Sequence, residues 1–268
     1  AFKVRGSVNL ACTLSPSERE RGMIAASTGN HGQSIAFGAR LTGTHAYIVV
    51  PEGANAGKVA AIRGLGAQVI VHGEKFDAAM AHAENLGREQ GLRFVHSANE
   101  PRLVEGVGTA TLELLEDASQ VDSILVSVGL GSGACGACIV AKAIDPALRV
   151  VGVQAAGAPA VYESWRSGSI ETRPNTTFAE GLATGRAAQF TLSILREHLD
   201  EFHLVDEQEI LRGMAAWIEH AHTLAESAAG AVLALAFRLR GQLAGRRVAL
   251  MLSGGNTSVE HLRRALSS

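Results

Sequence analysis

The sequence predicts an α/β protein, with parallel strands joined by crossover helices. Two observations carry that expectation. Short runs rich in β-branched residues alternate with amphipathic stretches along the chain, as in successive βαβ units. Several of those runs are almost continuously apolar instead of alternating, which is how strands buried on both faces of a parallel sheet read.

In chain order the expected strands are 23–27 (MIAAS), 46–50 (AYIVV), 68–72 (QVIVH), 93–97 (RFVHS), 123–128 (SILVSV), 149–154 (RVVGVQ), 202–205 (FHLV) and 247–252 (RVALML). Amphipathic stretches at 31–42, 55–65, 76–90, 103–117, 134–144 and 206–222 supply helices between them. Turn residues cluster in HSANEPRLVEGVG (96–108), where the chain is expected to divide into two lobes, and ETRPNTTFAEG (171–181) reads as a loop. The 268 residues suffice for one large domain or two modest ones, and 47% hydrophobic content argues against disorder. A net charge of −2 without a Lys/Arg block gives no electrostatic basis for a nucleic-acid or anionic-membrane partner. The apolar run AAGAVLALAF (228–237) is too short to span a bilayer. Cys12, Cys135 and Cys138 are an odd, sparse set that fits a reducing cytoplasm, and no signal-peptide pattern precedes the first motif.

Three glycine-rich turns follow expected strands. ASTGNHGQS (26–34) opens a helix that Ser27 or Thr28 is expected to cap; free N–H groups there suit an anion, although an ordinary capped helix reads the same way. VGLGSGACG (128–136) satisfies G-x-G-x-x-G through Gly131, Gly133 and Gly136. A dinucleotide site would want an acidic residue at the end of the next strand, and that strand ends in Gln154. What remains is a nest of backbone N–H groups for one phosphate, or tight packing by small residues. MLSGGNTS (251–258) sets Ser253 at a strand's carboxyl end, or forms a plain turn. Lysines are scarce, at positions 3, 58, 75 and 142 only, and Lys3 follows Phe2 at the very start. A phosphate nest, an anion-binding helix start, a hydroxyl and an amine together suit pyridoxal 5′-phosphate.

In the order and spacing of AFKVRGS, STGNHGQS, VPEGANAGKVAAIRGLGAQVIVHG, VGLGSGACG and LSGGN, the chain resembles the threonine/serine dehydratase family of pyridoxal-phosphate enzymes, which includes serine racemase. The resemblance implies two open twisted, mostly parallel sheets with helices on both faces, the tryptophan synthase β-like fold type II. It also implies a small domain over 9–102 and a large one made of 1–8 plus 103–268. It implies that Lys3 forms the Schiff base and later takes the substrate's α-proton, that Phe2 stacks near the pyridine ring, and that Asn30 bonds the ring hydroxyl. Backbone N–H groups over Ser27, Thr28, Gly29, Asn30 and His31 would hold the substrate carboxylate. Gly129, Leu130, Gly131, Ser132 and Gly133 would wrap the phosphate, and Ser253 would face the ring nitrogen. A hydroxyl there, unlike a carboxylate, does not favour protonation of the ring, which suits β-elimination. The implied reaction removes water from L-threonine or L-serine, giving 2-oxobutyrate or pyruvate and ammonia, in a homodimer or higher homo-oligomer.

Departures from the family pattern shape further expectations. The segment that precedes the lysine motif in the family is absent, so the chain reads as N-terminally shortened. It ends soon after LSGGN, so no regulatory domain or feedback by isoleucine is expected. Leu130 stands where glycine is common. Thr28 carries a hydroxyl at the place of the racemases' second acid/base, which leaves racemisation open as an additional catalytic role. Thr176 replaces one of two carboxylates that hold a divalent ion in some relatives, and with Glu180 alone no metal site is expected. The alternatives are a racemase, a dehydratase of another β-hydroxy amino acid such as hydroxyaspartate, or a non-catalytic remnant.

Of the other residues, Cys135 and Cys138 form C-x-x-C, read as small buried packing residues ahead of a redox pair. Glu226 heads an apolar helix, either bordering the site or acting as a helix-start carboxylate.

Overall fold

The computed structural model describes residues 1–118 and 120–267. The chain forms two compact units, Ala1 with Lys3–Gly106 and Phe2 with Val107–Ser268. The first holds α1 (Lys3–Thr13), α2 (Pro16–Arg21), β1 (Met23–Ala26), α3 (Asn30–Thr42), β2 (Ala46–Val50), α4 (Ala56–Gly64), β3 (Gln68–Val71), α5 (Phe76–Gln90), β4 (Arg93–Phe94) and the first residues of α6 (Pro101–Asp117). Its strands form one parallel sheet in the order β3-β2-β1-β4. Successive side chains of a strand point to opposite faces, and both faces here are covered. Met23, Ala25, Ile48 and Val50 join Leu10, Ile35, Ile62 and Leu103 on one side, while Ile24, Ala26 and Val49 meet Ala79 and Ala83 of α5 on the other. That is why these strands read as unbroken apolar runs.

The second unit continues through β5 (Ser123–Ser127), α7 (Ser132–Ile144), β6 (Arg149–Ala155), α8 (Ala160–Ser167), a 3-10 turn (Glu180–Leu182), α9 (Gln189–His198), β7 (Glu201–Val205), α10 (Glu207–Ala221), α11 (Ser227–Arg238), α12 (Arg240–Leu243), β8 (Val248–Leu250) and α13 (Val259–Leu266). Its parallel sheet runs β7-β6-β5-β8. Leu125, Val151, Val153 and Val205 pack with Ile210 and Met214 of α10 and with Val232 and Leu235 of α11.

All eight expected strands are present, within two parallel sheets. The β4 strand is shorter than the sequence suggests. After Val95 donates to the Ile24 carbonyl at 2.8 Å, the His96 ring nitrogen accepts from both Ala98 and Asn99 N–H at 3.0 Å and turns the chain out of the sheet. No helix among the described residues is long and apolar enough to cross a membrane.

Candidate active site

In the first unit, β1 leads into the turn Ser27–Gly29 and then α3. Ser27 N–H still pairs with the Val49 carbonyl at 3.1 Å, as a strand residue would. Ser27 thus belongs to the end of the strand, and the cap expected of Ser27 or Thr28 is not made. Gly29 is the N-cap, and no side chain caps the helix. Ser27 Oγ accepts from Gly29 N–H at 3.2 Å, which fixes the turn itself. Thr28 and Asn30 are half-buried beside it. His31 is buried, and its Nε2 pairs with the Val95 carbonyl at 3.1 Å. Burial, followed by the nearby positive charge of Lys3, pushes its pKa down to about 3. The ring is therefore neutral and donates from Nε2, so His31 anchors the turn. Lys3 is the first residue of α1, which packs against α3 in this unit.

In the second unit, β5 leads into Gly129–Gly133. Gly131 is the N-cap of α7 at φ 99°, a left-handed conformation that glycine adopts without strain. Neighbours close on this turn from several sides. A Cβ on Gly129 would lie 2.3 Å from the Gly181 carbonyl oxygen, and one on Gly133 would lie 2.8 Å from the Phe2 ring. Thr191 Oγ1 donates to the Leu130 carbonyl at 2.5 Å, so the leucine's backbone is held in place despite its side chain. Ser132, the first residue of α7, is buried.

The turn after β8 belongs to the same unit. Ser253 is buried, and its Oγ donates to Glu226 Oε1 at 2.7 Å. Its carbonyl accepts Phe2 N–H at 3.0 Å. Phe2 thus fastens the second turn to the third, with its ring on Gly133 and its N–H on Ser253. Lys3 is the next residue along the chain, and a trans peptide unit spans about 3.8 Å between Cα atoms.

The family model described as "Pyridoxal-phosphate dependent enzyme" matches residues 1–254. The chain belongs to that family. Within it, the chain falls in the threonine/serine dehydratase group. It is 37% identical over 268 residues to an L-threonine ammonia-lyase of Thermotoga maritima, covering 100% of this chain and 67% of that protein. Among solved structures it is similar to the processed form of threonine deaminase isoform 2 from Solanum lycopersicum, at a TM-score of 0.95 and 27% identity, covering 100% of this chain and 79% of that one. It is also similar to serine racemase from Dictyostelium discoideum, at a TM-score of 0.89 and 31% identity, covering 97% and 84%.

The residues present fit the family's cofactor, pyridoxal phosphate. The glycine turn before α7 offers a helix start where no side chain occupies the cap, a place for a phosphate. Its shape admits no Cβ at Gly129 or Gly133. Other lysines of this pyridoxal-phosphate enzyme have other surroundings. Lys142 is bound to Asp200 at 2.8 Å and to the Leu148 carbonyl. Lys75 is an exposed residue at the start of α5, and the Lys58 backbone N–H goes to the Asn55 cap at 3.1 Å.

Gln154 is fully buried. Its Nε2 donates to Thr184 Oγ1 at 3.1 Å and its Oε1 accepts from Tyr162 N–H at 3.0 Å, so this amide braces the unit from within. Burial pushes the Cys135 thiol far up and Cys138 up to about 12, and Cys135 Sγ donates to the Thr191 carbonyl at 3.3 Å. Both are free packing thiols beneath the glycine turn, without the thiolate character that redox chemistry requires.

Two carboxylates matter more than the sequence suggests. Glu226 bonds Ser253 instead of capping α11. Glu207 reaches the segment around Thr176: its Oε2 accepts from Phe178 N–H at 3.2 Å, and its Oε1 is buried without a hydrogen-bond partner. Thr176 is itself bound to the Gly157 carbonyl through N–H and hydroxyl. Among the described residues, no three His, Cys, Asp or Glu side chains are grouped to hold a metal ion.

Proposed function

We propose that this chain removes water from L-threonine or L-serine, yielding 2-oxobutyrate or pyruvate and ammonia. The observation that carries the reading is the double fastening of Phe2, to Gly133 and to Ser253, with the amine-bearing Lys3 as the next residue. Bound pyridoxal phosphate supplies an aldehyde that joins an amine and a ring that draws electron density from the substrate's α-carbon.

The chain's own residues do the rest. Lys3 Nζ would hold the aldehyde, and with the substrate's amine in that place it would be free to take the α-proton over a short distance. The backbone of Gly129–Gly133 would hold the phosphate, and Phe2 would cover the ring. Asn30 would bond the ring hydroxyl, and Ser253 would face the ring nitrogen. N–H groups of Ser27–His31 orient the substrate carboxylate at the start of α3, where the helix dipole favours negative charge. The working assembly is a homodimer or a higher homo-oligomer in the cytoplasm.

Borohydride reduction of the holoprotein followed by peptide mass mapping should find the cofactor on Lys3. Lys3→Ala should lack that adduct and release 2-oxobutyrate from L-threonine about 100- to 10,000-fold more slowly. An adduct on another lysine, or unchanged turnover, would overturn the assignment. Racemisation is the second reading, favoured by the half-buried Thr28 hydroxyl in the first turn. Its readout is D-serine formed from L-serine in the same incubation.

A further inference from the structure

The turn before α7 is gripped from α9 by a bond that no step above uses. Thr191, in the first turn of α9, is 1% exposed, and its hydroxyl donates to the Leu130 carbonyl at 2.5 Å. A helical threonine ordinarily turns its hydroxyl to a carbonyl three or four residues back. Here that acceptor, Ala188, stands at 3.4 Å, so the proton belongs to Leu130. Two more contacts seat α9 on the turn. Cys135 Sγ of α7 donates to the Thr191 carbonyl at 3.3 Å, and a Cβ on Gly131 would lie 3.2 Å from Thr191 Cβ.

The carbonyl and N–H of a trans peptide unit point in opposite directions. Pinning the Leu130 carbonyl to α9 therefore aims the Gly131 N–H away from α9. Gly131 is buried, and among the described residues nothing accepts that N–H. Buried N–H groups are nearly always paired, so this one calls for an acceptor from outside the chain. The peptide also has a second orientation. Gly131 sits at φ 99°, and glycine takes positive and negative φ about equally readily. A half-turn of the peptide would return Gly131 to negative φ and put the Leu130 oxygen where the N–H had been. An anion at that place would then meet an oxygen instead of a donor. The backbone has no strong preference between the two orientations; the Thr191 hydroxyl selects one.

We infer that Thr191 is a positioning residue: by holding the Leu130 carbonyl it keeps the Gly131 N–H aimed at the phosphate of bound pyridoxal phosphate. The inference rests on the assignment of Gly129–Gly133 to that phosphate under the proposed function. It gives Leu130 a part played by its carbonyl and not by its side chain.

The test titrates the full chain with pyridoxal phosphate and, separately, with pyridoxal, which lacks the phosphate, and reads each affinity from the visible absorbance of the adduct. Thr191→Val keeps the side chain's shape and removes the donor. Loss of one N–H-to-phosphate bond should weaken pyridoxal phosphate about 10- to 100-fold and leave pyridoxal unchanged. Thr191→Ser, which keeps the hydroxyl, should bind both as the parent does. Unchanged affinities in Thr191→Val, equal losses for the two compounds, or a Thr191→Ser as weak as Thr191→Val would each overturn the inference. If Thr191→Val yields no folded protein, the crystal structure of the parent holoprotein decides. A Gly131 N–H bonded to a phosphate oxygen supports the inference, and one turned towards α9 overturns it. Borohydride trapping separates the levels. Without an adduct on Lys3 the functional reading falls and takes this inference with it, whereas an adduct on Lys3 with equal losses overturns only the role of Thr191.

Discussion

The glycine turns after β1 and after β5 share a plan and differ in what their glycines do. Each follows a buried parallel strand and opens a helix with no side-chain cap. In the first turn a Cβ on Gly29 would meet nothing within 4 Å. The turn keeps its shape through Ser27 and through the buried, neutral His31. In the second, Gly129, Gly131 and Gly133 are pressed against the Gly181 carbonyl, α9 and the Phe2 ring. One turn is held by side-chain hydrogen bonds around an open space; the other is held by steric contact. The same residue type thus marks an access point in one place and a packing requirement in the other.

The largest expected effect tests the packed turn. Gly129→Ala puts a methyl group 2.3 Å from a backbone oxygen that cannot rotate away. The 3-10 turn or β5 must shift, and overpacking of this kind costs about 2–3 kcal/mol. Urea denaturation should show that loss, with weaker retention of cofactor. A variant as stable as the parent would break the contrast.

The next effect tests how the open turn is held. Unfolded, His31 takes up a proton near 6.5; folded, it resists until about 3. Its contribution to stability is complete above pH 6.5 and is lost progressively as the pH falls through the window towards 3, because only the unfolded chain gains the proton there. Each unit within that window is worth about 1.4 kcal/mol, so the parent should lose about 2 kcal/mol between pH 7 and 5 through this residue. In His31→Gln the amide keeps a donor for Val95 but does not titrate. Its stability should therefore fall less over the same interval, and parallel pH profiles would show that His31 does not hold the turn.

The contrast also explains what was legible in the sequence. Strands were, because residues such as Met23, Ile24, Ala25 and Ala26 are all buried, and burial on both faces writes itself as an apolar run. The three turns were, because glycine after such a run has few other uses. The cap of α3 was misjudged because Ser27 remains bound to β2, a pairing that local sequence does not show. Helix α2 carried a readable signal, since Ser15 and Glu18 form a capping box and Pro16 opens the first turn, yet six residues are too few for a periodic pattern. The pairing of Ser253 with Glu226 and the approach of Glu207 to Thr176 are tertiary. Each joins residues from separate elements, and neither spacing corresponds to a helical or strand repeat.

The smallest effect on stability belongs to Gly29→Ala, which tests function at the open turn. Its φ of −127° is open to any residue, and no neighbour obstructs a methyl group. Alanine is only a poorer N-cap than glycine, so the loss should stay under about 1 kcal/mol, well below that of Gly129→Ala. The methyl group would nevertheless stand at the mouth of α3, among the N–H groups assigned to the substrate carboxylate. If that space exists for a ligand, KM for L-threonine should rise about 5- to 30-fold, the equivalent of one or two kcal/mol of lost binding, while the denaturation midpoint barely moves. Unchanged KM with a large fall in stability would make both turns packing turns and remove the difference between them.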